Sequence, residues 1–147
     1  MSTTLVPEHA IDSLNESASD TMPTVLVVED EALIRVTAVD ALRDCGYTVV
    51  EAANGDQAMA ILAADEVHVD IMFSDVRMPG VTDGFSLARW VRANRPGIRV
   101  LLTSGYIGNA ARSCDIREHG PLLSKPYDYQ ELVDRLYQLS AGYASSS

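Results

Sequence analysis

The strongest constraint in this sequence is one unit that recurs: a short, continuous apolar run, a polar break, then a segment with helical spacing. The first run, Thr24-Val25-Leu26-Val27-Val28, lacks polar alternation, the pattern of a strand buried on both faces, and it stops at Glu29-Asp30-Glu31. A strand covered on both sides lies inside a sheet that carries helices on each face. The first helix follows at once. Ala32 to Cys45 places Leu33 or Ile34, Ala38, Ala41 or Leu42 and Cys45 at helical spacing, and Gly46 is a C-terminal stop.

Four more units follow. Tyr47 to Glu51 reads as a second strand, and Asn54 caps a helix through about Ala64 that faces inward with Ala58, Ile61 and Leu62. Val69 to Ser74 is the third strand; Asp83 caps a helix from Gly84 to about Asn94 that buries Phe85, Leu87 or Ala88, and Val91. Ile98 to Thr103 is the fourth strand. A fourth helix over Gly108 to His119 has little apolar face, and Gly120-Pro121 ends it. Leu122-Leu123-Ser124 is a short fifth strand, and Asp128 with Glu131 forms a capping box for a helix to about Leu139. Five βα units predict an α/β fold: a doubly wound, five-stranded parallel sheet with helices on both faces.

The chain has 147 residues, enough for one domain with a real core. Residues 1–22 carry Glu8, Asp12, Glu16 and Asp20, no Lys or Arg, and many Ser and Thr, so they read as a mobile acidic tail. The domain is expected over residues 23–140, with 141–147 as a disordered end. A formal net charge of −10 argues against direct nucleic-acid binding. Cys45 and Cys114 show no metal-ligand or CxxC spacing, and no run approaches the roughly 20 apolar residues that span a bilayer. No leader is recognisable. A cytoplasmic protein that does not enter the membrane is expected.

In open parallel sheets ligands gather at the carboxyl ends of the strands. There this sequence puts Glu29 and Asp30 after the first strand, Asp75 after the third, Thr103 and Ser104 at the end of the fourth, and Lys125-Pro126 after the fifth. Lys125 is the chain's one lysine. Hard oxygen ligands, a nucleophile and a cationic donor on one rim are what a Mg²⁺-assisted phosphoryl site requires, and a carboxylate can itself be the nucleophile. Taken singly, each element has an ordinary reading: acids at a helix start serve capping and the dipole, and Thr103-Ser104-Gly105 is a turn. Their coincidence on one sheet edge, from four separate units, outweighs those readings. His9, His68 and His119 read as solvated side chains and not as ligands.

At these residues VLVVEDE (Val25 to Glu31), SDVRMPG (Ser74 to Gly80), LLTSGY (Leu101 to Tyr106) and SKPY (Ser124 to Tyr127) resemble the receiver domain of two-component response regulators. The resemblance implies a flavodoxin-like, CheY-like (βα)5 fold with strand order 2-1-3-4-5. It implies that Asp75 is the phosphorylation site and that Glu29, Asp30, Asp75 and the backbone carbonyl of Arg77 hold Mg²⁺. Thr103 then matches the hydroxyl that moves to the phosphoryl group, and Lys125 the lysine that pairs with it, ahead of a cis bond to Pro126. The implied donor is a sensor histidine kinase or histidine phosphotransfer protein. The implied output is a downstream protein that reads the face of the fourth helix, fifth strand and fifth helix, and a phosphorylation-dependent homodimer is left open.

The sequence departs from the family pattern in three places. Leu122 stands where many receivers carry a switching aromatic, so Tyr106 is a candidate to take over that work. Gly80-Val81-Thr82 lengthens the loop before Asp83-Gly84, which resembles a subgroup of stand-alone and hybrid-kinase receivers. Arg77 puts a bulky cation beside the metal, where it gates water or pairs with Glu29. No output domain follows Leu139, so a single-domain regulator that switches a partner or relays phosphate is expected, an enzyme only toward its own phosphoryl group. A pseudo-receiver has lost its acceptor, acid pair or lysine, and none is lost here. A Mg²⁺-dependent phosphatase with a DxD motif is disfavoured by Arg77, and a flavin or dinucleotide binder by the lack of GxGxxG after the first strand.

Overall fold

The computed structural model describes residues 22–64, 66–78, 80, 82–104 and 122–145. Its elements are β1 (Thr24–Val28), α1 (Ala32–Asp44), β2 (Thr48–Ala52), α2 (Gly55–Ala64), β3 (Ile71–Asp75), α3 (Gly84–Asn94), β4 (Arg99–Ser104), β5 (Leu122–Ser124) and α4 (Tyr129–Ser145). The strands form one parallel sheet in the order β2-β1-β3-β4-β5, as the resemblance implies. The expected helix over 108–119, Tyr106 and the residues of the acidic tail before Met22 lie outside the described residues.

The sheet divides two cores, which is why its central strands are apolar throughout. On one face Val25, Val27, Ile71, Phe73, Leu101 and Leu123 pack with Val39 and Leu42 of α1 and with Leu132 and Leu136 of α4. On the other, Leu26, Val28 and Met72 pack with Ala58 and Leu62 of α2 and with Leu87 and Val91 of α3. Each fully buried leucine contributes roughly 1.5–3 kcal/mol of transfer free energy, so the alternation of strand and helix is held by both layers.

The helix starts follow their capping residues. Asn54 Oδ1 accepts the Gln57 N–H at 2.8 Å, Asp83 Oδ1 the Ser86 N–H at 2.8 Å and Asp128 Oδ1 the Glu131 N–H at 2.7 Å. Two expectations need correction. The last helix runs to Ser145, beyond the expected end near Leu139, so 141–145 continue the helix and the predicted disordered end does not begin there. In α1, Leu33 is 79% exposed and Cys45 lies exposed beyond the helix end, whereas Val39 is buried. The inner stripe follows Ala38, Val39 and Leu42.

Register places the polar strand ends on one rim. Val28 stands beside Ser74, Asp75 beside Thr103, and Ser104 beside Ser124, so Glu29, Asp75, Thr103 and Lys125 leave the sheet at the same edge. Every residue of β3 is buried, because it is the middle strand.

Candidate functional site

The site begins where β1 and β3 run out. Glu29 follows β1 directly, held to β2 by its N–H on the Ala52 carbonyl at 3.1 Å, and its side chain turns inward. Its Oε2 accepts the Glu31 N–H at 3.1 Å and its Oε1 lies 3.3 Å from Lys125 Nζ. Asp75 ends β3 with Oδ1 accepting the Arg77 N–H at 3.3 Å and Oδ2 3.0 Å from Lys125 Nζ. Asp30 is exposed beside them, and each of the three acids offers an oxygen within 4.8 Å of the others.

Burial dominates the electrostatics of the two inner acids. Both Glu29 and Asp75 are held above the usual carboxylate range by desolvation, against the lowering effects of the Glu31 N–H on Glu29 and of Lys125 on Asp75. Lys125 is also raised: burial opposes its charge, but the bond and the charge of Asp75, with Glu29, outweigh that. Its attraction to the acids is thus real, and on the acid side desolvation exceeds it. Three acids around one ammonium leave the cluster negative, and the donors are carboxylate oxygens, the hard ligands a divalent cation such as Mg²⁺ takes. The residues fit such a metal.

Backbone packing fixes this arrangement. A Cβ on Gly84 would run into the Asp75 carbonyl oxygen and come within 2.7 Å of Val76 Cα, so α3 can start directly behind the acid only because residue 84 has no side chain. Gly55 likewise lets the start of α2 meet the Thr82 backbone. Thr103 is buried beside Asp75 in the register, and its hydroxyl donates to the Leu123 carbonyl at 2.8 Å. The peptide between Lys125 and Pro126 is cis.

The structure gathers Glu29, Asp30, Asp75 and Lys125 on one rim with Thr103 beside Asp75 in the register; of Arg77 it places the backbone N–H on Asp75, and Tyr106 lies outside the described residues. The cation on Glu29 is Lys125 and not Arg77, whose side chain is exposed. Two participants were not evident in the sequence. Arg35 reaches back from α1 to donate through Nη1 to the Glu29 carbonyl at 2.8 Å, with its Nε 3.3 Å from Glu51 Oε1. Tyr127, two residues beyond Lys125, buries a hydroxyl that has no hydrogen-bond partner among the described residues, its ring edge-on to Phe73 and Tyr129 with centroids 5.8 Å apart in each pair. Only the spacing of Arg35, six residues after Glu29 on the side of α1 toward β2, offered a signal for either.

This rim and sheet define a receiver, and the chain belongs to the response regulator receiver domain family, which it matches over residues 25–137. It is 38% identical over 136 residues to the sensor kinase CckA of Brucella abortus, covering 90% of this chain and 14% of the kinase. It is 30% identical over 112 residues to sporulation initiation phosphotransferase F of Bacillus subtilis, covering 75% of this chain and 87% of that protein. A CheY-like receiver structure from Methanospirillum hungatei superposes with a TM-score of 0.77 at 20% identity, covering 86% of this chain and 99% of the other, which supports the fold. The chain spans less than a quarter of the curated relatives it matches first. Receiver domains are signalling modules of two-component systems that interact with histidine kinases or phosphotransfer proteins and bind Mg²⁺ at an acidic site. Among the described residues no helix is long and apolar enough to cross a membrane.

Proposed function

We propose that this chain is a cytoplasmic, single-domain response regulator that accepts a phosphoryl group on Asp75 from a histidine kinase or a histidine phosphotransfer protein. The observation that carries this reading is the Asp75 carboxylate at the end of the central strand, 3.0 Å from Lys125 Nζ and grouped with Glu29 and Asp30. Likeness over 87% of the Bacillus phosphotransferase supports a stand-alone receiver that relays phosphate or switches a partner. The receiver domain spans residues 23–140 in this reading.

Asp75 is the nucleophile. A carboxylate oxygen attacks phosphorus, a new O–P bond forms, and the bond from phosphorus to the donor imidazole breaks, leaving its electron pair on that nitrogen. Burial raises the Asp75 pKa, and Lys125 and the Arg77 N–H oppose that rise by favouring the reactive, ionised form. Glu29, Asp30, Asp75 and the Arg77 carbonyl would hold Mg²⁺, which supplies positive charge to the oxygens of the transferred group. Lys125 turns from Glu29 and Asp75 toward a phosphoryl oxygen, and Thr103 leaves Leu123 to donate to another. Both residues stand at the strand ends that lead to the face of β5 and α4, where a partner protein, or a second copy, would read the change.

The test is incubation with acetyl phosphate and Mg²⁺, followed by intact mass. The reading expects one phosphoryl group, labile to base and to hydroxylamine as an acyl phosphate is, that requires both Mg²⁺ and Asp75 and is absent in Asp75→Asn. No gain under conditions that label an ordinary receiver overturns it.

A further inference from the structure

We propose that Arg35 is a positioning residue for the metal-binding acids, gripping the one peptide unit that joins them, with Glu51 of β2 as its anchor. This rests on the reading of the acidic cluster given above. The carbonyl that Arg35 Nη1 holds at 2.8 Å is that of Glu29, which is the carbonyl of the Glu29–Asp30 peptide. The two acids do not share the same support. Glu29 is buried, and its carboxylate has two partners, the Glu31 N–H and Lys125. Asp30 is exposed, and its backbone is what carries it to within 4.8 Å of the other carboxylates.

That backbone has just left the sheet. Its last tie to β2 is the Glu29 N–H on the Ala52 carbonyl at 3.1 Å, the next backbone bond is the Arg35 N–H on the Glu31 carbonyl at 2.9 Å, and between them lies the Glu29 carbonyl. Arg35 catches it. The guanidinium is itself fixed from the other side, where Nε meets Glu51 Oε1 at 3.3 Å, with the arginine side chain 19% exposed. A planar fork bound at two edges has little freedom left, which distinguishes it from a lysine at the same place. An edge strand that contributes no ligand thereby takes part in setting the ligand geometry.

Geometry and charge predict opposite signs. Arg35 is a cation on the Glu29–Asp30 peptide, so if it acted through charge alone, its removal would leave the site more negative and tighten Mg²⁺ binding. If it acts by holding the peptide plane, removal loosens Asp30 and weakens binding. The experiment is Mg²⁺ titration by calorimetry on the full chain at pH 7.5, in 0.05 and 0.5 M KCl, for the wild type, Arg35→Met, Arg35→Lys and Glu51→Met, with thermal unfolding of each. The expected result is a Kd raised about tenfold in Arg35→Met at both salt concentrations, the size of one charge-assisted hydrogen bond. Arg35→Lys recovers part of the loss. Glu51→Met, a change at a partly exposed side chain that removes the acceptor, raises Kd about threefold, and the effect persists at 0.5 M KCl, where the Coulombic part is screened.

An unchanged or lowered Kd in Arg35→Met overturns the inference even if the melting temperature falls, because a merely structural role would show that pattern. Should Arg35→Met not fold, an unchanged Kd in Glu51→Met at high salt overturns it instead. A wild type that binds no Mg²⁺ while the variants fold overturns the metal reading, and the inference with it.

Discussion

Replacing Lys125 by Met removes the ammonium and keeps most of the stem. Its Nζ sits 3.0 Å from Asp75 Oδ2 and 3.3 Å from Glu29 Oε1, and the two acid side chains are 8% and 4% exposed. Breaking a buried pair from one side costs about 3–5 kcal/mol. The lower end applies, because the lysine is itself 19% exposed and the exposed Asp30 lets water reach the cluster. In a domain of this size about 3 kcal/mol lowers Tm by roughly 10–15 °C.

The pH dependence fixes the cause. Burial already holds Glu29 and Asp75 above the usual range with the lysine present, and its loss removes the two leading effects that lower Asp75. A carboxyl whose folded pKa lies above its unfolded value near ~4 binds its proton more tightly when folded. Its contribution to stability is full below that unfolded value and is lost as pH rises through the folded one. The deficit of Lys125→Met is therefore greatest at pH 8 and shrinks toward pH 5. Thermal unfolding by circular dichroism in chelator-treated buffer at both pH values checks this, and added Mg²⁺ restores more to the variant than to the wild type at pH 8. Equal melting temperatures at pH 8, or a deficit that grows toward pH 5, would refute the reasoning.

Gly84→Ala forces a Cβ against the Asp75 carbonyl and Val76, so it destabilises the chain by about 2 kcal/mol or more and slows phosphorylation of Asp75; urea unfolding and acetyl phosphate labelling measure the two effects. Tyr127→Phe deletes a buried hydroxyl with no partner among the described residues, and the variant is more stable than the wild type by about 1 kcal/mol in the same unfolding assay. A loss of stability would show that this hydroxyl has a partner in solution.

Most of the rim was legible because each of its residues is punctuation. Glu29, Asp75 and Lys125 interrupt apolar strands, and a polar residue at the end of a buried strand has one edge of the sheet to point to. The caps Asn54, Asp83 and Asp128 were legible for the same local reason, since a side chain three residues from an orphan N–H needs no tertiary information. What escaped was tertiary. The contacts of Arg35 with Glu29 and Glu51 depend on the angle at which α1 crosses β1 and β2, which spacing does not carry. Leu33 and Ile34 stood as alternatives for one helical stripe, and the packing of α1 on the sheet, not periodicity, favours Ile34 and leaves Leu33 to solvent. The long loop around Gly80 was visible, but the conformation at that glycine was not: Gly80 has φ +99°, and an added Cβ there would lie 3.2 Å from Asp56 Oδ2.

The absent aromatic at residue 122 leaves open how a phosphoryl group on Asp75 would be felt at the edge of the sheet, and the Thr103 hydroxyl supplies a route. That hydroxyl is committed to the Leu123 carbonyl at 2.8 Å, on a three-residue edge strand. Moving it to a phosphoryl oxygen breaks a neutral bond of about 1 kcal/mol and makes a charge-assisted one of about 1.5–3, so the exchange is favourable. Its cost falls on β5, which loses one of its ties to β4. Phosphorylation should then raise amide exchange at Leu123, Ser124 and Lys125 about fivefold, the ratio that ~1 kcal/mol sets. Thr103→Val removes the bond in advance: the unphosphorylated variant already exchanges at the raised rate, and labelling Asp75 adds little. A Thr103→Val chain whose β5 amides respond to phosphorylation as fully as the wild type's would mean that the signal leaves the site by another path.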